Sequence, residues 1–326
     1  MSPPPEKPPM LGGQAVIEGV MMRAPGMIAT AVRRADGTIT VKKERFVSLG
    51  ERFAIVKLPL IRGAVGIVEM LTVGIRTLNY SAEVAMAEET AKAGGNGKAD
   101  GKMSLSLGLT VAFSLLVGVA LFFAAPIYIT TRLFSVEQEP LVFNLIAGGI
   151  RVLIFLGYLS ALSFMKDIKR LFQYHGAEHK AVFAHEQGRD LTVDACRTQT
   201  RFHPRCGTSF MLVVMVVAIM SFALIDALLI SWLGPINLVI RLATHLPLLP
   251  LIGGVSYEFI RLSAKKSGTV LGRLVVTPGL WLQRITTKEP DDSQLEVAVV
   301  ALRAALGIDQ PEEERSPVAA SVIGMN

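Results

Sequence analysis

Long apolar segments dominate the middle of the chain. They are Leu105–Ile129, Leu141–Met165, Ser209–Leu233 and the shorter Leu246–Leu262. A predominantly apolar run of about 20 residues is long enough, as a helix, to cross the hydrocarbon core of a bilayer. Buried core helices of a soluble protein are the alternative, but four such runs in one chain favour a multi-pass membrane protein with a lipid bilayer as its partner.

Two different patterns precede the first apolar segment. Apolar and polar residues alternate over Ile28–Arg34 and again over Thr38–Phe46, on either side of an Asp-Gly turn, which predicts a β-hairpin within a small β-rich region at 11–54. Residues 55–80 are apolar but interrupted by charges, which favours an amphipathic or re-entrant helix at the membrane. The Gly- and Lys-rich composition that follows predicts a flexible linker over 81–104.

The C-terminal part of the chain carries helix signals of its own. Asp291, Asp292 and Ser293 precede an apolar-periodic run that stops before Gly307, so a helix is expected to close a helical region at 263–308. The Pro-rich residues 1–10 and the tail 309–326 are expected to be disordered. The predicted fold class is therefore mainly α: a polytopic membrane protein with about four transmembrane helices, an amphipathic or re-entrant helix and a small N-terminal β-hairpin.

The distribution of charge predicts the orientation in the membrane. The net charge is +6, but the basic residues flank apolar runs, and no basic-aromatic stripe accompanies the five Tyr, so nucleic-acid binding is not expected. Lys and Arg concentrate before the first span, in the loop 166–208 and after the fourth span. This bias predicts a multi-pass protein of the bacterial inner (plasma) membrane, with both termini and the loop 166–208 in the cytosol. The pattern carries no signal for an oligomeric state.

The loop 166–208 also concentrates residues that can carry chemistry. Four of the five His and both Cys lie between His175 and Cys206. The segment from Leu141 is expected to continue as one helix through this region, which would place His175 and His179 on one helical face. The H-x-x-E-H spacing is that of the inverted zincins, with Glu178 as the general base. The alternative is a pair of surface histidines on a basic helix.

A catalytic site of this kind needs a third protein ligand and an open position. His203 and Cys206 are both competent ligands, although the His-Pro-Arg-Cys-Gly segment could simply begin a membrane helix. Glu258 is a third candidate, with a local pair to Arg261 as its alternative. Glu186 lies about 10 Å along the helix from His179, which is too far for the same ion. Three competing ligands therefore remain.

Several stretches of the chain are recognisable together. The sequence resembles the YqhQ family of bacterial membrane proteins, a domain of unknown function (1385) that has been described as predicted metal-dependent enzymes. The resemblance implies a metal site on His175, Glu178, His179, His203 and Cys206, but it brings no established reaction. The matching stretches are GGQAVIEGVMMR (12–23), LPLIRGAVGIVE (58–69), RLFQYHGAEHKAVFAHE (170–186), RFHPRCGTSF (201–210), GVSYEFIRL (254–262) and TTKEPDDSQLEVAV (286–299).

The leading hypothesis is a membrane-embedded metal-dependent enzyme, a hydrolase acting at the cytosolic membrane face. A divalent metal, expected to be zinc, would be held by His175 and His179, and the substrate would be a membrane-proximal peptide or a lipid headgroup. The rival hypothesis is a non-enzymatic membrane scaffold or transporter with a structural metal site of four protein ligands. A third is that no metal binds and the histidines sense pH or line a proton path.

Overall fold

The computed structural model describes residues 11–92, 101–265 and 269–308. Within these ranges the chain is mainly α-helical and contains one small antiparallel sheet. Four of the described helices are long and apolar enough to cross a membrane. The predicted fold class, a mainly α membrane protein, is thereby confirmed. The tails predicted to be disordered, 1–10 and 309–326, lie outside the described residues.

The N-terminal region forms a four-stranded meander in which each strand pairs with the next along the chain. Its strands are β1 (Gly12–Val16), β2 (Gly19–Ala24), β3 (Met27–Arg33) and β4 (Ile39–Arg45). The predicted hairpin is formed by β3 and β4. At its turn the Asp36 carboxylate accepts the Thr38 N–H at 2.9 Å, and Gly37 adopts φ 86°, a conformation that a residue with a Cβ rarely takes. Strands β1 and β2 extend this hairpin into the sheet.

The helices account for most of the remaining described chain. A 3₁₀ turn at Ala54–Lys57 separates the first two of them. A π-helical turn at Ala120–Ala124 joins the third to the fourth. The helices are α1 (Leu49–Arg52), α2 (Ile61–Lys92), α3 (Gly101–Val119), α4 (Ala125–Leu133), α5 (Pro140–Leu162), α6 (Lys166–Glu186), α7 (Val193–Arg197), α8 (Gly207–Leu233), α9 (Leu238–Lys265), α10 (Val270–Thr286) and α11 (Asp292–Leu306).

Three distant parts of the chain share one apolar core. One face of the sheet packs against α6 and α11, and α7 closes the end of this core. Val20 from β2, Ala181 from α6 and Leu302 from α11 are fully buried there. The strands, α6, α7 and α11 are called the α/β unit below. Its formation shows that the loop 166–208 is a folded part of the protein.

Local signals define the ends of α11 as the sequence predicted. Asp291 caps the helix by accepting the Gln294 N–H at 2.9 Å. The Gln294 side chain in turn accepts the Asp291 N–H at 3.0 Å, which completes a capping box. Gly307 ends the helix with φ 71°, the left-handed conformation typical of the residue after a helix.

The apolar helices expose apolar side chains on their outer surfaces, as helices in lipid do. The candidate spans are Ala112–Leu133, Pro140–Leu162, Phe210–Leu233 and Leu238–Leu262. They correspond to the four predicted runs, but the fourth begins at Leu238 rather than Leu246. Its two prolines lie inside one helix, which membrane helices tolerate when neighbouring groups satisfy the freed backbone.

Two predicted boundaries differ from the structure. The helix expected to run from Leu141 through the His cluster is broken, because Met165 is extended (φ −71°, ψ 133°) and α6 starts anew at Lys166. The break frees α6 to pack in the α/β unit instead of continuing along the axis of α5. Both ends of the linker predicted at 81–104 are helical, since α2 continues to Lys92 through a stretch rich in Ala and Glu, which favour helix, and α3 begins at Gly101. Residues 93–100 lie outside the described part of the chain.

A buried polar network joins three of the apolar helices. Asp226 of α8 pairs with Arg241 of α9. The same carboxylate accepts a hydrogen bond from Asn144 of α5 at 2.7 Å and lies 3.0 Å from His245 Nε2. All four side chains are at most 5% exposed. A buried carboxylate needs such partners, because an unpaired charge in an apolar interior is costly.

Candidate metal centre

Three ligand-type side chains from two helices converge beside the α/β unit. His175 and His179 lie one turn apart on the same face of α6, with ring centroids 4.5 Å apart. Cys206 is the residue immediately before α8. One ligand atom from each of the three lies within 4.8 Å of the others. The helical spacing of the two histidines and the start of an apolar helix thus bring this trio together.

Backbone carbonyls orient both imidazole rings. His175 Nδ1 lies 2.8 Å from the carbonyl oxygen of Thr286, and His179 Nδ1 lies 2.5 Å from that of Arg201. A carbonyl oxygen only accepts hydrogen bonds, so each Nδ1 carries a proton, and in the neutral ring Nε2 then keeps its lone pair. His175 Nε2 is 3.2 Å from Cys206 Sγ. A metal-binding histidine typically donates the N–H of its other ring nitrogen to such a carbonyl oxygen, which fixes the orientation of the ring.

The donor set of the trio fits a zinc-type ion. Two imidazole nitrogens and one thiolate are the ligands that Zn²⁺ prefers. Ligands bound at about 2.0–2.3 Å around one tetrahedral ion lie roughly 3.3–3.8 Å apart. The observed separations of at most 4.8 Å would close to that range through small rotations of the side chains. Three ligands would leave one tetrahedral position open.

Glu178 lies next to the trio and is 6% exposed. One of its carboxylate oxygens is 3.5 Å from His179 Nε2. Burial raises the pKa of Glu178 to about 7, while His175 acts in the opposite direction and Glu186 adds to the rise. The side chain also presses on β1, because a Cβ on Gly13 would come within 2.8 Å of three of its atoms. Glu178 is therefore held between the sheet and the ligand trio.

His203 is buried close to the trio but is engaged elsewhere. Its Nε2 lies 3.3 Å from Glu186, and its Nδ1 accepts the Arg205 N–H at 3.3 Å. Two hydrogen bonds with Gln283 hold its backbone. Burial lowers the pKa of His203, and the nearby Glu186 only partly offsets this effect. Of the candidate third ligands, Cys206 lies with His175 and His179. His203 is hydrogen-bonded to other groups instead.

Glu258, the remaining candidate ligand, lies in a separate ion pair. Both of its carboxylate oxygens bind the guanidinium of Arg62 on α2, with one contact at 2.6 Å. The structure thus assigns Glu258 to the contact between α2 and α9 and leaves it outside the trio.

Polar contacts fix the C-terminal segment that supplies the carbonyl of Thr286. The buried Lys180 of α6 pairs with Glu289, and Arg201 donates to the Thr287 hydroxyl at 2.9 Å. The Lys288 N–H donates to the Phe172 carbonyl at 2.8 Å. The segment between α10 and α11 is therefore attached to α6 and to the loop before α8, which stabilises the orientation of His175.

Sequence reasoning found the side chains of the trio but missed the groups that position them. Thr286 and Arg201 act through their carbonyls, which no side-chain pattern reveals. Gly13 acts through the absence of a side chain. Each of these three residues lies in a stretch that carries the family resemblance, at 12–23, 201–210 and 286–299, and this was the available signal.

Comparison with known proteins places the chain in a family. The family described as "Protein of unknown function (DUF1385)" matches residues 58–308. The chain belongs to this family. A Bacillus subtilis (strain 168) protein named "Uncharacterized protein YqhQ" is 33% identical over 323 residues, which cover 97% of this chain and 98% of that protein. No solved structure matches the chain significantly.

Proposed function

We propose that this DUF1385 protein is a membrane-embedded, metal-dependent hydrolase that acts at the cytosolic face of the inner membrane. The observation that carries the proposal is the orientation of the two imidazoles. Both Nδ1 atoms are tied to backbone carbonyls, so that His175 Nε2, His179 Nε2 and Cys206 Sγ can serve one ion. Surface histidines without such a role have no need of this double constraint.

A divalent cation, expected to be zinc, would supply Lewis acidity and lower the pKa of a bound water to about 7. Cys206 would bind as a thiolate.

Glu178 is suited to move the proton in this reaction. Its carboxylate would take a proton from the attacking water and pass it to the leaving group. Burial places its pKa at about 7, where a carboxyl group both accepts and returns a proton near neutral pH. Gly13 and the α6 backbone hold the side chain at the trio, so the carboxylate needs no large movement.

The proposed orientation follows from charge. The loop that contains the trio is rich in Lys and Arg, whereas the link between the first two spans contains Arg132 against Glu137 and Glu139. The positive-inside bias therefore supports a cytosolic position for the α/β unit and both termini. The trio, at the start of an apolar helix, would then lie at the membrane–cytosol boundary.

A structural metal site in a scaffold or transporter is the competing function. Such a site completes its shell with four protein ligands. Among the described residues, the trio has no fourth ligand of this kind, and His203 has both nitrogens engaged with Glu186 and Arg205. An open position favours the hydrolase.

Cobalt substitution tests the ligand set. Co²⁺ added to metal-stripped protein is expected to give a thiolate-to-cobalt charge-transfer band and the visible spectrum of a four-coordinate ion. Cys206→Ser should remove the band, and Cys196→Ser is the matched control that should keep it. Equal spectra in the two variants would refute Cys206 as a ligand. Glu178→Gln should keep the spectrum, because the proposed base is not a ligand.

A further inference from the structure

The sheet has an open edge at β1. The strand order places β1 at one end of the sheet, paired only with β2. The turn at Ile17-Glu18 has two residues, so the pair that closes it, Val16 and Gly19, is hydrogen-bonded. Hydrogen-bonded pairs alternate along an antiparallel ladder, so every second residue of β1, counted back from Val16, bonds to β2. The backbone N–H and C=O groups of Gly13 and Ala15 point the other way. No hydrogen bond from another described residue reaches these outward groups.

The pairing of β2 with β3 supports the conclusion that Gly13 and Ala15 point away from β2. The hairpin between β2 and β3 closes on the pair Ala24 and Met27, so even-numbered residues of β2 bond to β3. The odd-numbered residues of β2, including Met21, are then left for β1. Met21 lies opposite Gln14, so Gly13 and Ala15 fall on the free side.

The two edges of the sheet differ in how they are protected. Edge strand β4 has the sequence ITVKKER, in which four of seven residues are charged, and such charges discourage pairing with a further strand. Edge strand β1 has the sequence GGQAV, without charge or proline. The charges on β4 therefore disfavour further pairing, whereas β1 carries no such protection.

The open edge passes beside the proposed catalytic group. Gly13 contacts the Glu178 side chain so closely that a Cβ there would require this side chain to shift, and the Glu178 carboxylate lies 3.5 Å from His179 Nε2. A chain paired with β1 would therefore run alongside Glu178 and the ligand trio. The other edge is separated from the trio by β2 and β3.

We propose that β1 binds an extended polypeptide segment as a fifth strand of the sheet, and that this segment is the substrate of the hydrolase. The inference rests on the proposed function and chooses a peptide over a lipid headgroup. Backbone pairing with Gly13 and Ala15 would supply recognition that depends little on sequence, as in other cases of strand addition. A headgroup offers no such row of donors and acceptors.

The reaction is then the hydrolysis of an amide bond. Water adds its hydroxyl to the carbonyl carbon, the C–N bond breaks, and the amine leaves with a proton. Glu178 accepts the proton that water loses and returns it to the departing nitrogen, so atoms and charge balance. Pairing with β1 would place the carbonyl near this carboxylate, which lies beside Gly13.

A series of hydroxamates tests the inference on purified, zinc-loaded full-length protein. Acetohydroxamate probes the metal alone, and hydroxamates extended by one to four alanine and valine residues probe the edge. Calorimetry is expected to show affinity rising about tenfold to thirtyfold when the peptide reaches Gly13 and Ala15, the increment for about two net hydrogen bonds. N-methylation of the pairing amides should remove that gain.

Variants at Ala15 test whether the rise in affinity with peptide length comes from pairing with β1. Ala15→Pro deletes an outward N–H that β2 does not use, a position where an edge strand tolerates proline. It should abolish the gain with length while acetohydroxamate binds as in the wild type. Ala15→Gly keeps the N–H and is the matched control, which should retain the gain.

The outcomes separate the two claims. The peptide inference would be overturned if acetohydroxamate binds normally but affinity does not rise with peptide length, or if it rises equally in Ala15→Pro. Either result would leave the metal centre unaffected. Failure of acetohydroxamate to bind zinc-loaded protein would refute the metal centre, and the inference with it. Conversion of a dimer into a monomer by Ala15→Pro, without any effect of peptide length, would assign the edge to a second copy and also overturn the proposal.

Discussion

Gly176 is the point where α6 touches the segment that orients His175. A Cβ added there would lie less than 3.0 Å from the carbonyl oxygen of Lys288, a separation that real Cβ atoms essentially never show. The obstacle is backbone, and the Lys288 N–H is itself bonded to the Phe172 carbonyl at 2.8 Å. The added methyl group of Gly176→Ala must therefore displace the whole backbone segment between α10 and α11.

The expected magnitude combines two opposing effects. Alanine in place of glycine inside a helix stabilises by up to about 1 kcal/mol, whereas overpacking in a well-packed site costs about 1–3 kcal/mol. We expect Gly176→Ala to lower the free energy of unfolding by about 1–2 kcal/mol. The carbonyl of Thr286, two residues from Lys288, should move with the segment. Loss of a hydrogen bond that orients a metal-binding histidine weakens metal binding by about 10- to 100-fold.

Thermal unfolding in detergent, followed by tryptophan fluorescence, measures the first effect, and zinc titration measures the second. At an unfolding entropy of about 2.1 cal/mol/K per residue, 1 kcal/mol corresponds to about 1–2 °C in Tm for this chain. Gly66→Ala is the matched control: Gly66 also lies inside a helix, and nothing lies within 4 Å of the added Cβ, so its Tm should stay level or rise. A Gly176→Ala protein with unchanged Tm and zinc affinity would refute the argued contact.

Further predictions concern the buried network, the cysteines and the orientation. Asp226→Ala leaves a buried arginine unpaired and should lower the free energy of unfolding by about 3–5 kcal/mol; a thermal unfolding curve like that of the wild type would contradict the network. Because burial raises the pKa of Cys196 to about 11 and the side chain is fully buried, it forms thiolate only at high pH. N-Ethylmaleimide at neutral pH should therefore modify Cys206 in metal-free protein and spare Cys196, as peptide mass spectrometry can check. In a cysteine-free background on intact cells, Gln138→Cys should react with an impermeant maleimide and Gln187→Cys should react only after permeabilisation; the reverse result would invert the proposed topology.

Features defined by short-range chemistry were predictable from the sequence. The caps of α11 at Asp291 and Gly307 depend on residues within one helical turn. The apolar runs and the turn at Asp36-Gly37 are equally local. The pairing of His175 with His179 follows from the period of one helix. Each of these signals is confined to a few neighbouring residues, and tertiary packing does not override it.

Features that depend on distant segments were not predictable in the same way. The partner of His175 is a carbonyl 111 residues away, and Gly13 meets Glu178 across the interface between sheet and helix. The break at Met165 also has a tertiary origin, since α6 buries Tyr174 and Ala181 against the sheet and α11. An apolar pattern shows that a face is buried, but it does not show which segment covers it.

The most direct test of the metal centre is elemental analysis of detergent-purified protein. The wild type is expected to carry about one equivalent of zinc or a similar divalent metal, and a His175→Ala/His179→Ala double variant should carry none. His203→Asn, which keeps an acceptor for the Arg205 N–H, should retain the metal because its nitrogens serve other partners. A well-folded wild type that holds no metal even after reconstitution, or a double variant that still binds it, would contradict the account.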